Sequence, residues 1–465
     1  MKKVAIIGAG ITGLCAAYAL RKLNQTPLIL ESTNRVGGVI QTYQQDDFLA
    51  EAGPHSLALT SQSMLDFIES IGLGPEVQKA SPKAKNRFIV RQGKLTPVPQ
   101  SLLQFIGSPA LSIMGKCRLF AEPFIKAKTL EEDESVADFF SRRFGQELLE
   151  YAVDPFISGI YAGDPKELSI SYAFPQLKAW EARHKSVVQG FLKETLEKKR
   201  QGRLFKREII SFRNGMHTLP KMLAVHVKDY LHFNTKLERI VKTDEGWSIS
   251  WREGGELFTE EVASILSTVP AYRVEELPFE DALKRQLNVL REIPYAGISL
   301  LTFGFRKAGI RHSLRGLGML VPQKENYNIL GTLFSSSMFA GRAPKGYATL
   351  ATFVGGMRQS GHAAMPFEDL KHLVLNDLES LLGATGQVVF ANHSYWPRGI
   401  PQYTLHTTSV MQALSKLEES HPGLFFAGNF CNGVALGQCM EAGLDTGSRM
   451  NDFILQQQQN LTPSS

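Results

Sequence analysis

Cysteine is scarce in this chain. There are four in 465 residues, at positions 15, 117, 431 and 439, with no C-x-x-C pair among them. That spacing offers neither a disulfide framework nor a zinc knuckle, and reads as reduced, structural thiols in a reducing compartment. Charge is nearly balanced. Fifty-one Lys and Arg face 45 Asp and Glu, a formal excess of +6. So mild a basicity admits an anionic partner, nucleic acid or a membrane surface, but requires neither. No run of 18 apolar residues occurs, which argues against a membrane-spanning helix. There is no internal repeat. Low complexity is confined to Gln456–Gln459 and the polar end after it, a tail expected to fray. No Ser/His or His/Asp constellation announces a nucleophile, so no acid or base is assigned.

Glycine, by contrast, is placed with purpose. The stretch "VAIIGAGITGLCAAYALRKLNQTPLILE" runs from Val4 to Glu31. Lysines followed by an apolar run resemble a secretion signal, but the glycines interrupt it and no small-residue cleavage site follows. Val4–Ile7 has the β-branched character of a buried parallel strand. From Ile11 the apolar residues Leu14, Ala17, Tyr18 and Leu20 recur at helical spacing, and Leu28–Leu30 forms a second strand closing on Glu31. Gly8 permits the tight turn, Gly10 lets backbone approach a pyrophosphate, and Gly13 lets helix pack on strand. The helix start, with Ala9, Ile11 and Thr12, presents N–H groups to phosphate. Glu31, 18 residues after Gly13, stands where it can bind ribose hydroxyls. This is a dinucleotide site, and the stretch is read as a working part of the protein.

The next blocks choose between nicotinamide and flavin. "STNRVGGVIQTY" brings Ser32, Arg35 and the adjacent Gly37 and Gly38; "AEAGPHSL" brings Gly53, Pro54, His55 and Ser56. Paired glycines so soon after the acid imply backbone passing close to a bulky ligand. Near the other end, "PGLFFAGNFCNGVALGQCMEAGLDTGSRM" places Gly428 and Asn429 after an apolar strand and before a helix. A helix N-terminus there can face a second part of the same cofactor. Two ends of the chain building one site suit a flavin better than a mobile nicotinamide.

These blocks resemble the flavin-dependent amine oxidase superfamily, with its E-x-x-x-R-x-G-G turn and its late F-A-G-N segment. Over most of its length the chain is similar to the oxygen-dependent protoporphyrinogen oxidases, through "AKNRFIVRQGKLTPVP" (84–99), "DPFISGIYAGDPKELSISYAFPQL" (154–177), "GMLVP" (318–322), "ILGTLFSSSMFAGRAP" (329–344), "TFVGGMRQ" (352–359) and "NHSYWPRGIPQY" (392–403). The resemblance implies FAD held by Gly8–Gly13, Glu31, Gly38 and Gly53–Ser56, with Leu237 backbone at the adenine and Trp396, Gly428, Asn429, Val434, Ala435 and Leu436 by the flavin. It implies Arg87 on a substrate propionate, Leu320 and Leu333 sandwiching the macrocycle, Phe353 stacking on it, and Gly159 and Ala162 lining the pocket. On composition alone a lone Arg is a surface charge, and Leu320, Leu333 and Phe353 are ordinary core residues. Val39 stands where many amine oxidases carry Arg, and "NGVALGQC" replaces their W-S-G-Y, so the cage tyrosine for an amine is missing. Cys431 is read as an uninvolved thiol.

The expected fold is α/β with three parts. A discontinuous Rossmann-like FAD-binding domain comprises 1–80, 205–275 and 385–465. A substrate domain with a mixed sheet comprises 81–99 and 276–384. A helical, membrane-associating domain comprises 100–204. Residues 183–207 carry nine Lys and Arg against two Glu. Composition favours a solvated helix there; the family's habit of peripheral binding favours a membrane-surface patch. The resemblance implies six-electron oxidation of protoporphyrinogen IX, with dioxygen as acceptor. Its implied setting is cytoplasmic, on the inner face of a membrane. The implied partners are the tetrapyrrole, dioxygen, the membrane, a second copy of the chain and a ferrochelatase receiving the product; no nucleic acid is expected. Rival readings are coproporphyrinogen III oxidation, amine oxidation or polyene desaturation, and a non-catalytic FAD-binding scaffold.

Overall fold

A seven-stranded sheet carries the N-terminal motif. In the computed structural model, which describes residues 3–99, 104, 107–128, 133–201 and 205–461, the strand Lys3–Ile7 lies parallel to Pro27–Leu30 on one side and to the end of Glu256–Ser267 on the other. Leu231–His232 extends one edge, and Leu424–Phe426 pairs in parallel with Glu256–Ser267. The start of that long strand turns back on the antiparallel meander Lys236–Thr243 and Gly246–Glu253. Strands distant in sequence thus end side by side, and the loops leaving them share one edge of the sheet. The helix Ile11–Lys22 is buried along most of its length because it lies between the sheet and the last helix, Leu436–Leu461. Their approach depends on glycine: a Cβ at Gly443 would run into the Thr12 carbonyl, and one at Gly447 would sit 2.8 Å from that of Ala16. Gln456–Gln459, expected to fray, continues this helix; residues 462–465 lie outside those described.

A second seven-stranded sheet is mixed. Its order runs Val388–Pro401, Tyr295–Arg306, Tyr347–Gly355, Ile329–Leu333, Gly318–Leu320, Arg87–Arg91, Lys94–Pro97. One face packs on the helix Phe367–Leu382 through Leu301, Phe303, Phe305 and Val354. Two boundaries differ from those drawn on the sequence. Val388–Pro401 pairs along Tyr295–Arg306, so it belongs to the substrate sheet and not to the cofactor part that was begun at 385. Residues 276–293 were assigned to the substrate part, yet Leu277, Phe279, Leu283, Leu287, Leu290 and Ile293 pack in the core of the first sheet. Strand pairing and burial decide both, and neither is visible in a local pattern.

Of the stretch 100–200, expected to be helical, the described residues of 113–128 and 133–200 are mainly helix. Helices Val136–Phe144, Asp154–Tyr161 and Val187–Arg200 share a core with Leu168 and Tyr403. Arg143 is fully buried among them and is neutralised by Glu122 and Glu181. An unpaired buried charge would be strongly destabilising, so this cluster locks the helices together. Among the described residues no helix is long and apolar enough to cross a membrane.

Candidate cofactor crevice and substrate face

Gly8 adopts φ +104°, where a side chain would be strained, and a Cβ would sit 2.9 Å from Thr268 Oγ1. A Cβ at Gly13 would run into the Gly8 carbonyl, so Gly13 serves helix-on-strand packing as its spacing implied. Gly10 differs: a Cβ there meets no protein atom within 4 Å, and one on Gly38 (φ +58°) meets only the Gly10 Cα, at 3.7 Å. The two glycines face one another across a cradle that any side chain would fill. The helix behind it has Gly10 as its N-cap, no side-chain cap and no acid in its first turn. The N–H groups of Ile11, Thr12 and Gly13 are therefore left for an anionic ligand. A dinucleotide phosphate fits this donor set.

The surrounding loops are tied to the turn. Glu31 Oε2 accepts from the Ala9 amide at 2.8 Å, while Oε1 accepts from the Thr33 amide and hydroxyl. This pins the acid to the glycine turn and leaves Oε2 one further acceptor site for a hydroxyl. Thr235 and Asn234 bond back to Glu31 and Thr33, just before Leu237, which pairs with Trp251. Ser32 is exposed, and Arg35 closes its own loop by donating to the Gly38 carbonyl at 2.8 Å. Gly37 donates to the Ala9 carbonyl and packs on Pro220. Gly53 lies against the Val39 carbonyl, and Trp396 Nε1 donates to the neighbouring Ala52 carbonyl at 2.6 Å. Pro54, His55 and Ser56 follow directly.

Gly428 (φ +146°) ends the strand Leu424–Phe426 next to Thr268. The loop after it hangs on a residue that sequence reasoning missed. Tyr403 donates to the Asn429 carbonyl at 2.6 Å and accepts from the Gly433 amide at 2.7 Å. Val434 packs on the helical layer, and Ala435 and Leu436 open the last helix. Thr268, whose hydroxyl donates to the Ile7 carbonyl, was missed as well. Both stand in recognisable places, Tyr403 closing "IPQY" and Thr268 ending a strand, but nothing in the sequence says what they touch. The four cysteines form no disulfide, and burial raises the thiols of Cys15, Cys431 and Cys439, the last to about 11. None of these three thiols is a thiolate nucleophile at neutral pH.

The residues expected to bind substrate meet on the other face of the second sheet. Register puts Ile89, Leu320, Gly331, Phe353, Leu300 and Ser394 in one cross-strand row. The neighbouring row on the same face holds Arg87, Gly318, Leu333, Ala351 and Thr302. Leu320 and Leu333 are therefore diagonal neighbours across an antiparallel pair, about 7–8 Å apart. They form part of one surface, so a ring lies between them only when it stands edge-on to the sheet. Gly159 meets Leu320, whose Cδ2 would lie 2.7 Å from a Cβ there. Ala162, in the left-handed region at φ 49°, accepts from the Met357 amide and packs with Phe353. Arg87 is exposed and has no ion pair among the described residues, whereas Arg91 on the same strand is taken by Glu147 at 2.7 Å.

A family model described as flavin containing amine oxidoreductase matches residues 11–452. The chain is similar to protoporphyrinogen oxidase 2, chloroplastic/mitochondrial, of Arabidopsis thaliana, at 32% identity over 95% of this chain and 92% of that protein. It is similar at 26% identity to coproporphyrinogen III oxidase of Bacillus subtilis (strain 168), over 95% of this chain and 96% of that one. A crystal structure from Exiguobacterium sp. 255-15, provisionally named a protoporphyrinogen oxidase, superposes with a TM-score of 0.80 at 25% identity, covering 97% of this chain and 98% of that one.

Proposed function

Because this chain belongs to the flavin containing amine oxidoreductase family, we propose that it oxidises protoporphyrinogen IX to protoporphyrin IX, with FAD as cofactor and dioxygen as final acceptor. The observation that carries the reading is the pair of rows on the substrate sheet. Phe353 offers a π-face in the row of Leu320, and Arg87 offers an uncommitted cation in the row of Leu333. The strands of Arg87 and Phe353 are three spacings apart, about 14 Å, a span that a tetrapyrrole with a propionate arm bridges.

Bound FAD supplies a two-electron acceptor that removes hydrogens pairwise, six in all, as the ring system becomes aromatic. The protein's own part is positional. Gly8–Gly13 and Gly38 hold the pyrophosphate, Glu31 the ribose, and Gly53–Ser56, Trp396 and Gly428–Leu436 the flavin end. Leu320, Leu333 and Phe353 orient the macrocycle, Arg87 fixes its propionate, and the helix bearing Gly159 and Ala162 excludes water from above. Since Arg91 is already paired, Arg87 is the one available cation on its strand face among the described residues. That suits a substrate with few carboxylates, protoporphyrinogen over the more anionic coproporphyrinogen. No cage tyrosine for an amine stands in "NGVALGQC".

The helical layer carries the second half of the reading, attachment to an anionic membrane surface. Ile113 and Met114 are each 81% exposed and Phe124 89%. On Val187–Arg200, Phe191, Leu192 and Leu196 are exposed beside Lys193, Lys198, Lys199 and Arg200. Residues 202–204 of the basic stretch lie outside those described. Exposed apolar residues next to cations suit a headgroup boundary, and the amphipathic substrate is found there. The test is a side-by-side assay. Protoporphyrinogen IX and coproporphyrinogen III, prepared anaerobically, are given to the yellow protein with oxygen, and porphyrin fluorescence is followed. Fluorescence faster with the first supports the reading; faster with the second reassigns the substrate; none with either leaves a flavoprotein of another activity.

A further inference from the structure

A small cavity of about 10 Å³ lies where the hairpin of the cofactor part meets the substrate sheet, lined by Glu51, His55, Thr302, Ser335 and Arg342 among others. Three polar atoms of these residues are buried without a hydrogen-bond partner: His55 Nε2, Thr302 Oγ1 and Ser335 Oγ. One such orphan in a native protein calls for explanation; three around one cavity indicate a shared ligand. The space is near the lower limit for one water, and the site offers the two to four polar partners a water needs.

The tautomer of His55 follows from geometry. Its Nδ1 lies 3.1 Å from the Gly53 carbonyl. A carbonyl only accepts, so Nδ1 carries the hydrogen and Nε2 keeps a bare lone pair. His55 is thus held as a base. Its ring also contacts that of Phe353, at 5.6 Å between centroids and 62°. It stands between the loop assigned to the flavin and the aromatic assigned to the substrate.

We propose that His55, acting through one buried water held by Thr302 and Ser335, takes up the proton that each round of substrate oxidation releases. The inference rests on the porphyrinogen reading above. In each two-electron round one C–H hydrogen leaves with its electron pair as hydride, to the acceptor already named. A second hydrogen leaves as a bare proton, from N–H in two rounds and from a meso carbon in the third, and its electrons stay in the new double bond. The water accepts that proton and passes one of its own to Nε2. The charged neighbours are Glu51 and Arg342. Glu51 accepts from the Thr42 hydroxyl at 2.6 Å and from the Met216 amide at 2.9 Å. Arg342 is committed to Ser211, Phe212 and Arg213, and disfavours a lasting imidazolium. His55 is therefore a relay that returns to neutrality each round.

Two measurements need no turnover. Nitrogen-15 NMR of histidine-labelled protein, assigned by His55→Gln, is expected to show a neutral ring with hydrogen on Nδ1 at pH 7. An Nε2–H tautomer or an imidazolium overturns the proposal. A crystal structure of the flavin-loaded protein is expected to place a water within hydrogen-bond distance of Nε2, Thr302 Oγ1 and Ser335 Oγ; a dry cavity overturns it. The third is anaerobic bleaching of the flavin by protoporphyrinogen IX across pH. His55→Gln should slow bleaching about 100-fold or more, the usual share of a general base, and abolish the acid limb of the profile. Thr302→Val should slow it about ten-fold, with flavin content unchanged. Should His55→Gln fail to fold, Thr302→Val and Ser335→Ala carry the same test. If wild type bleaches and the variants match it at every pH, His55 is no relay. If wild type does not bleach at all, the substrate reading has failed, and the tautomer and water then decide the site alone.

Discussion

The cofactor crevice and the substrate face are built on different principles. In the crevice, backbone would do the recognising: glycines at 8, 10, 13 and 38 sit on one turn and its covering loop, and an uncapped helix start offers N–H donors. On the proposed substrate face side chains would do it, and Arg87, Leu320, Leu333 and Phe353 come from four strands brought into two rows by register. A backbone site must be encoded contiguously, because its geometry is local. A side-chain site can be scattered, because the sheet supplies the geometry. Mutations should therefore act on the crevice through fold and cofactor, and on the face through kinetics alone.

The largest effect should separate two glycines three residues apart. In Gly13→Val the added carbons meet the Gly8 carbonyl, and neither backbone can yield. Soluble, flavin-bearing protein should be lost altogether. Gly10→Val places its side chain where no protein atom lies within 4 Å. It should fold with a near-normal Tm yet purify colourless, since the valine occupies the cradle. Equal thermal melts and equal flavin absorbance for the two would erase the distinction between packing glycine and ligand glycine.

The junction of the two regions should show opposed pH dependences. Burial pushes the Glu51 carboxyl up to about 7. The folded state then binds the extra proton between its ordinary range and 7, so this group's contribution to stability falls as pH rises from about 4.5 to 7. Burial pushes His55 down to about 4. There the unfolded state binds the extra proton, so stability rises with pH from about 4 to 6.5. Urea unfolding of wild type against Glu51→Gln and against His55→Gln should reveal differences of opposite slope, each up to about 3 kcal/mol. Parallel slopes would mean that the two groups are not buried together.

Arg87→Ala tests the substrate face by itself. A charge-assisted contact of about 1.5–3 kcal/mol remote from the reacting carbon should appear as a rise in KM of roughly ten- to a hundred-fold, with kcat little changed and flavin content normal. Arg87→Lys should recover part, lacking the planar fork. Loss of flavin instead would move Arg87 from the face to the crevice. The smallest effect concerns neither region. Lys198→Glu with Lys199→Glu should weaken sedimentation with anionic liposomes, at about 1 kcal/mol per cation removed, and salt should mimic the change. Binding that ignores both would return Val187–Arg200 to the role of a solvated helix.

Legibility followed the same division. The turn, its helix, the second strand and Glu31 were readable from Val4–Glu31 alone, because each demand there is set by residues within a few positions. Val388–Pro401 was misplaced because its hydrogen bonds go to a strand about ninety residues earlier in the chain. Residues 276–293 were misplaced because an amphipathic helix does not say which core will take its apolar side. Arg87, Leu320, Leu333 and Phe353 were named by family resemblance, but a strand pattern gives only which residues share a face. That the two leucines are diagonal neighbours needed the register of Gly318–Leu320 against Ile329–Leu333. His55 was read as a loop residue at the cofactor. That it lines one cavity with Thr302 and Ser335, more than 240 positions away, had no signal in the sequence.

By itself, then, the sequence determined the dinucleotide turn and its flavin character. It also determined the helical pattern of the middle stretch, since each rests on local backbone geometry or on the residue type present at one place. Only the tertiary structure decided which strands share a sheet, which side chains share a row, that His55, Thr302 and Ser335 line one cavity with unpartnered polar atoms, and that Tyr403 ties down the loop of Asn429 and Gly433. Those outcomes depend on contacts whose free energy exists only once distant segments have paired and excluded water.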